Sequence, residues 1–212
     1  MPRPAIFHLC RAALAALAAG SLLAACAGQP AALSDVRYDL GPDTATASAT
    51  RTTSTTSTLP PLRVLDVIAP SSLDNDGFVY RVGYASQQSA RYATSHWTTS
   101  PARLLTQRLR AALASQVSVL TGADAVVAPT LRVDLDQFEQ VFDSKTESSG
   151  VVSARATLIE DGKVIGQRSF VARAPASTPD AAGGARALAA ASDALIGQIS
   201  AWLSAQPLAF AR

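Results

Sequence analysis

The stretch "VVSARATLIEDGKVIGQRSFVA", residues 151–172, leaves the chain few choices. Val152, Ala154, Ala156 and Leu158 recur at every second position, the period of a half-buried strand. Asp161-Gly162 supplies the two residues of a tight hairpin turn, and a return strand runs from Lys163 to Ala172. A hairpin with one apolar face must bury that face against a second layer. Two helices are on offer. In "TTSPARLLTQRLRAALASQ", Ser100 is placed to cap a helix and Pro101 to open it. Leu105, Leu109, Ala112 and Leu113 fall on one side, with Arg103, Gln107 and Arg110 elsewhere. Residues 181–205 form a long alanine-rich helix whose stripe is Leu188, Ala191, Leu195, Ile199 and Trp202.

The rest reads mostly as strand. "VRYDL" (36–40) alternates, "LRVLDVIAP" (62–70) is a nearly continuous apolar run, and "FVYRVGYA" follows the turn-rich "SSLDNDG". In "LRVDLDQFEQVF", Leu131, Val133 and Leu135 share one parity while Phe138 and Phe142 take the other. One extra residue near Gln137 restores the pattern, which predicts a β-bulge or a change of face there. The order strands, helix, three or four strands, helix predicts a two-layer α+β domain. Its sheet should be mostly antiparallel, with the two main helices packed on one face.

The N-terminal end has a different character. Arg3 and Arg11 open a run of mainly Ala and Leu that holds no acid and reaches "SLLAACAG" at residues 21–28. A basic start, an apolar middle and small residues at the end describe an export signal. A membrane span needs about 20 apolar residues, so hydropathy alone leaves an uncleaved anchor open. The cysteine decides: Leu23-Ala24-Ala25-Cys26 resembles the bacterial lipobox, which implies diacylglyceryl transfer to the Cys26 thiol and cleavage before it. Residues 1–25 are then signal peptide, 26–35 a lipidated tether, 36–206 one domain and 207–212 a tail. Residues 41–61, "GPDTATASATRTTSTTSTLPP", are dominated by Thr, Ser and Ala. Such a segment buries too little surface to offset its ordering entropy. We read 43–58 as a disordered insertion.

These boundaries restrict the chemistry. The chain has Lys+Arg 18 against Asp+Glu 16. The signal takes away two arginines and no acid, so the mature side chains balance and the basic pI of the precursor marks no nucleic-acid footprint. Cys10 and His8 leave with the signal, and Cys26 is lipidated. The domain keeps no thiol, and His96 is its one histidine, which excludes a disulfide and a multi-histidine zinc site. A Ser-His-Asp site would have to use His96, and no nucleophile-elbow motif accompanies it. Asp134 and Asp136, two apart on a strand, could form an acid/base or hard-cation pair, but Arg132 beside them fits a solvated face. "TGADAVV" lacks the glycine spacing and lysine of a phosphate loop. No catalytic residue, metal ligand or cofactor is predicted.

"YRVGYASQQSARYATSHW" gathers Tyr80, Arg81, Tyr84, Arg91, Tyr92 and Trp97. Tyr, Trp and Arg dominate interface hot spots, yet the same residues could line the junction of sheet and helix. Both readings stand. Trp97, beside the helix start, is the stronger core candidate. Arg81 is the stronger interface candidate, because burying it without a carboxylate would be too costly.

On these residues the chain resembles the ABC-type transport auxiliary lipoproteins that accompany mammalian-cell-entry (MCE) lipid transport systems, the paraquat-inducible type among them. The resemblance rests on Tyr80-Arg81, Tyr92, Trp97, Pro101, Leu104 and Leu105, with Tyr38 and Leu40, the "DGKVIGQRSF" hairpin and the tryptophan-ended last helix. It covers about residues 36–202 and departs in the Ser/Thr insertion and at Ser100, where a second proline is frequent. It implies a non-catalytic lipoprotein on the periplasmic face of the outer membrane. The implied partners are an MCE-domain protein with its ABC permease and ATPase, and a lipid cargo; a homo-oligomer is possible, and the sequence does not fix the oligomeric state. The alternative is a stand-alone outer-membrane assembly or hydrophobic-ligand-binding lipoprotein.

Overall fold

A computed structural model of the chain describes residues 35–42, 60–83, 88–122 and 125–206. Chain order runs β1 (Val36–Tyr38), β2 (Leu62–Val64), β3 (Gly77–Val82), β4 (Ser89–Trp97), α1 (Pro101–Ala114), β5 (Val119–Leu120), β6 (Thr130–Phe142), β7 (Ser148–Glu160), β8 (Lys163–Pro175) and α2 (Ala181–Ser204). The lipobox residues Leu23, Ala24, Ala25 and Cys26, the 43–58 insertion and Tyr84 lie outside the described residues.

The predicted hairpin is β7 turning into β8. Asp161 has φ 49° and Gly162 φ 74°, the two positive values that a tight primed turn requires. β6 precedes them antiparallel, so three strands of 13 residues each form a meander. The β6–β7 register shifts between Leu135 and Gln137. Asp136 is therefore the extra residue that the parity change demanded.

The other edge of β6 is divided. β2 pairs with its beginning, Ile68 bridges Asp134, and β3 pairs with its end from Gln140 to Phe142. These pairings are parallel, as are β1 with β4 and β2 with β5. The class is α+β as expected, but the sheet is mixed: its long ladders are antiparallel and its short ones parallel. Apolar alternation reports which face is buried and carries no strand direction, so the parallel pairs were invisible to it. The sequence pattern does not reveal β4, because the β3–β4 register shifts between Gly77 and Val79 and breaks its alternation. The "LRVLDVIAP" run follows β6 only with an interruption. Leu65 and Ile68 donate to Leu131 and Val133, while the Val67 N–H turns to Thr106 Oγ1 at 2.9 Å.

Both helices contribute to one core. The α2 stripe is buried at all five predicted positions, and Leu105, Leu109 and Leu113 of α1 are buried beside Val152, Ala154, Ala156 and Leu158. Packing is close where α2 crosses β7. A Cβ on Gly150 would stand 2.5 Å from the backbone at Ala187 and Leu188, so only glycine fits. Asp180 caps α2: its Oδ1 accepts from Gly183 N (2.7 Å) and Thr178 Oγ1 (2.8 Å), which holds the carboxyl below its ordinary pKa. Ser100 does not repeat this at α1. It occupies the cap position, but its buried hydroxyl makes no cap bond, so the expected side-chain cap is corrected; Pro101 does open the helix.

Polar groups of α1 hold the chain around it. Buried Arg108 forms a two-pronged pair with Asp193 of α2, with Nη2–Oδ2 at 2.7 Å. Its Nη1 donates to the carbonyls of Leu40 (2.7 Å) and Gly41 (3.1 Å). Arg110 Nη2 donates to the Val64 carbonyl at 2.7 Å and pairs with Asp66 at 2.9 Å.

Candidate functional site

β3 and β4 bring the four singled-out residues together, but on opposite faces. Phe78 and Tyr80 point toward the helices, and Val79 and Arg81 point away, as alternation along a strand requires. On the helix side, Trp97 is 0% exposed and stacks on Phe78 with centroids 4.6 Å apart, meeting Phe138 edge-on at 5.3 Å. It belongs to the core, as expected from its place beside the helix start. Tyr92 meets Phe78 at 5.2 Å and Tyr80 at 4.8 Å, and Tyr80 reaches Phe142 at 5.9 Å. The series of rings runs from the core to the half-buried Tyr80.

Tyr92 also anchors a polar chain. Its hydroxyl donates to Gln140 Oε1 at 2.9 Å, and Gln140 Nε2 donates to Ser148 Oγ at 2.8 Å. Gln140 is wholly buried, so these bonds offset its desolvation. Burial first, then Asp180, Tyr80 and Tyr38, pushes the Tyr92 hydroxyl up to about 12. A neutral donor suits this network; a phenolate would lose its bond to Gln140.

On the opposite face, Arg81 borders a cleft of about 540 Å³ walled by the Ser72–Leu73 turn, β4 near Arg91 and the β6 bulge. Arg81 Nε donates to Glu139 Oε1 at 2.7 Å, and Gln137 Nε2 donates to the same oxygen at 2.6 Å. The Arg81 side chain is 37% exposed and that of Glu139 only 5%. The bond and charge of Glu139 raise the Arg81 pKa further. Arg81 is half-buried, and it has the carboxylate whose absence argued for an exposed position: Glu139 comes from β6, 58 residues along the chain. The bulge could have revealed it, because it places Gln137 and Glu139 on the outer face with Arg81. The cleft opens where β6 changes neighbours between the Ile68 bridge and β3, and among the described residues no strand pairs with residues 136–139 on that edge. A partly exposed guanidinium over a buried carboxylate, in an open polar cleft, suits recognition of a polar or anionic group on a partner.

The other candidates are dispersed. Asp134 Oδ1 is held by Arg132 at 2.8 Å, while Asp136 is the bulge residue and lines the cleft, so the two carboxylates form no regular pair. His96 Nε2 lies 3.9 Å from exposed Asp35. Among the described residues no three His, Cys, Asp or Glu side chains converge as a metal site, and no helix is long and apolar enough to cross a membrane.

The fold is shared with known structures. A crystallised protein from Xanthomonas campestris superposes with TM-score 0.61 at 19% identity, over 69% of this chain and 87% of that one. A second crystallised protein gives 0.58 at 21% identity, over 68% and 92%. At such identity the likeness concerns fold alone. No curated protein matches the chain. The profile described as ABC-type transport auxiliary lipoprotein component matches residues 38–200. That span takes in the Tyr38–Leu40 segment, the β3–β4 aromatics, the cleft and nearly all of α2, and the chain belongs to the ABC-type transport auxiliary lipoprotein family.

Proposed function

We propose that this protein is a non-catalytic subunit of an MCE/ABC-type lipid transport system. Acylated Cys26 would hold it at the periplasmic face of the outer membrane, and it would dock the MCE-domain partner through the Arg81 cleft. Family membership across residues 38–200 carries the reading, and the lipobox at Cys26 supplies the anchor. Lipid crossing water unshielded costs about 0.8 kcal/mol per exposed methylene, so a lipid-anchored subunit bridging toward the partner serves the task. Ala27 and Gly28 carry no acid after the cysteine, which favours the outer membrane.

Two measurements test this. Cys26→Ser should move from the membrane pellet to the soluble periplasm, because firm anchoring needs more than one acyl chain or a second signal. If that variant stays in the pellet, the anchor reading fails. Wild-type protein should co-purify with an MCE protein, permease and ATPase. Arg81→Ala alone would strand the buried Glu139 carboxylate, so it is combined with Glu139→Gln; the double variant should fold and associate more weakly. Normal co-purification of that folded double variant would remove the cleft from the docking surface.

A further inference from the structure

β8 lies at the margin of the sheet: it pairs with β7, and among the described residues no strand pairs with its other edge. Its backbone direction follows from one bond. The Ala176 N–H donates to the Ser148 carbonyl at 2.8 Å, and the antiparallel ladder alternates from there. Arg168, Phe170, Ala172 and Ala174 turn their main-chain groups to β7, and Gln167, Ser169, Val171 and Arg173 turn theirs to the free edge. Gln198 Nε2 of α2, donating to the Val171 carbonyl at 3.3 Å, agrees with this direction.

A groove of about 380 Å³ runs beside the edge, between Phe170 of β8 and Ala201, Trp202 and Ala205 of α2. Phe170 and Trp202 meet edge-on at 5.9 Å. Strand and helix thus present main-chain donors and acceptors next to an aromatic seat. The charge is one-sided. β8 holds Lys163, Arg168 and Arg173 and no acid. Arg173 pairs with Asp143, but Lys163 and Arg168 have no carboxylate among the described residues, and Arg168 lies 5.4 Å from the Phe170 ring centroid.

We propose that β8 and this groove bind an extended acidic segment of a partner protein by strand addition, with one apolar side chain of that segment seated in the groove beside the Phe170–Trp202 contact. Main-chain bonds to residues 167–173 supply affinity; Arg168 and Lys163 select acid. A second copy fits less well. Antiparallel β8–β8 pairing would set like charges against each other, and β1 offers only 3 residues of edge. The proposal concerns a surface apart from the Arg81 cleft and does not rest on the transport reading.

The test uses the full chain and two capped eight-residue peptides, one alternating valine with glutamate and one alternating valine with lysine. The acidic peptide should protect the amides of Gln167, Ser169, Val171 and Arg173 from hydrogen exchange, and bind about tenfold more tightly than the basic one. Arg168→Glu should reverse that preference. Ser169→Pro removes an edge donor and leaves the β7 ladder intact, so it should abolish protection with little change in melting temperature. Equal binding of both peptides, protection that survives Ser169→Pro in a folded protein, or protection without peptide that grows with protein concentration would each overturn the proposal. The last outcome would identify a second copy as the occupant.

Discussion

The two flanks of β6 are held by different means. On one side β7 follows it along its whole length, β8 follows β7, and α2 lies close over Gly150. On the other side β2, the Ile68 bridge and β3 share the edge in short parallel pieces, joined by ring contacts and by side chains of α1. The first flank is specified by main-chain ladders and small residues that allow close approach. The second depends on particular large or charged side chains, so single substitutions should damage it more.

Trp97→Ala tests that contrast with the largest expected effect. It empties the space between Phe78 and Phe138 and should cost about 3–5 kcal/mol, read as a lower urea midpoint. Arg108→Ala comes next. It leaves Asp193 and two carbonyls without their donor, and about 3 kcal/mol is expected, somewhat softened because Asp193 is partly exposed. Gly150→Ala strikes the ladder flank. A methyl 2.5 Å from α2 backbone forces the helix outward, at about 1–3 kcal/mol. If Gly150→Ala proves worse than Trp97→Ala, the ranking of the flanks is reversed.

A smaller effect depends on pH. The Tyr92 hydroxyl is raised to about 12, whereas an unfolded tyrosine ionises near about 10. Between these values the unfolded chain has lost a proton that the folded one keeps, so stability falls as pH rises through that window. Below it, this contribution is intact. Urea midpoints followed from neutral pH to about 12 should decline, and Tyr92→Phe should flatten the decline.

The ladder flank was the legible one. Alternation in residues 152–158, the Asp161-Gly162 turn and the stripe ending at Trp202 are local patterns, and each predicted its element. The parity change at Gln137 located the bulge to within one residue. The second flank was opaque because its partners lie far apart in sequence: Arg81 with Glu139, Arg108 with Asp193, Val67 with Thr106. One sign was available for Arg108. It stands three residues after Leu105 and four after Leu104, on the apolar stripe of α1, where an arginine must have found partners. For the candidate site, the sequence placed Trp97 in the core and Arg81 outside it. It could not show that strand alternation sets the pair on opposite sides of one sheet.

The grips of α1 have a practical consequence. Arg108 holds the carbonyls of Leu40 and Gly41, while Arg110 and Thr106 hold Val64 and Val67. The two stems of the Ser/Thr insertion are thus fastened to the same helix, and the fold does not ask the intervening chain to keep them together. Closing a loop costs only about 0.6 kcal/mol for each doubling of its length. An epitope or fluorescent reporter spliced between Pro42 and Pro60 should leave the melting temperature within a few degrees of wild type, so the domain can be labelled there without being loosened.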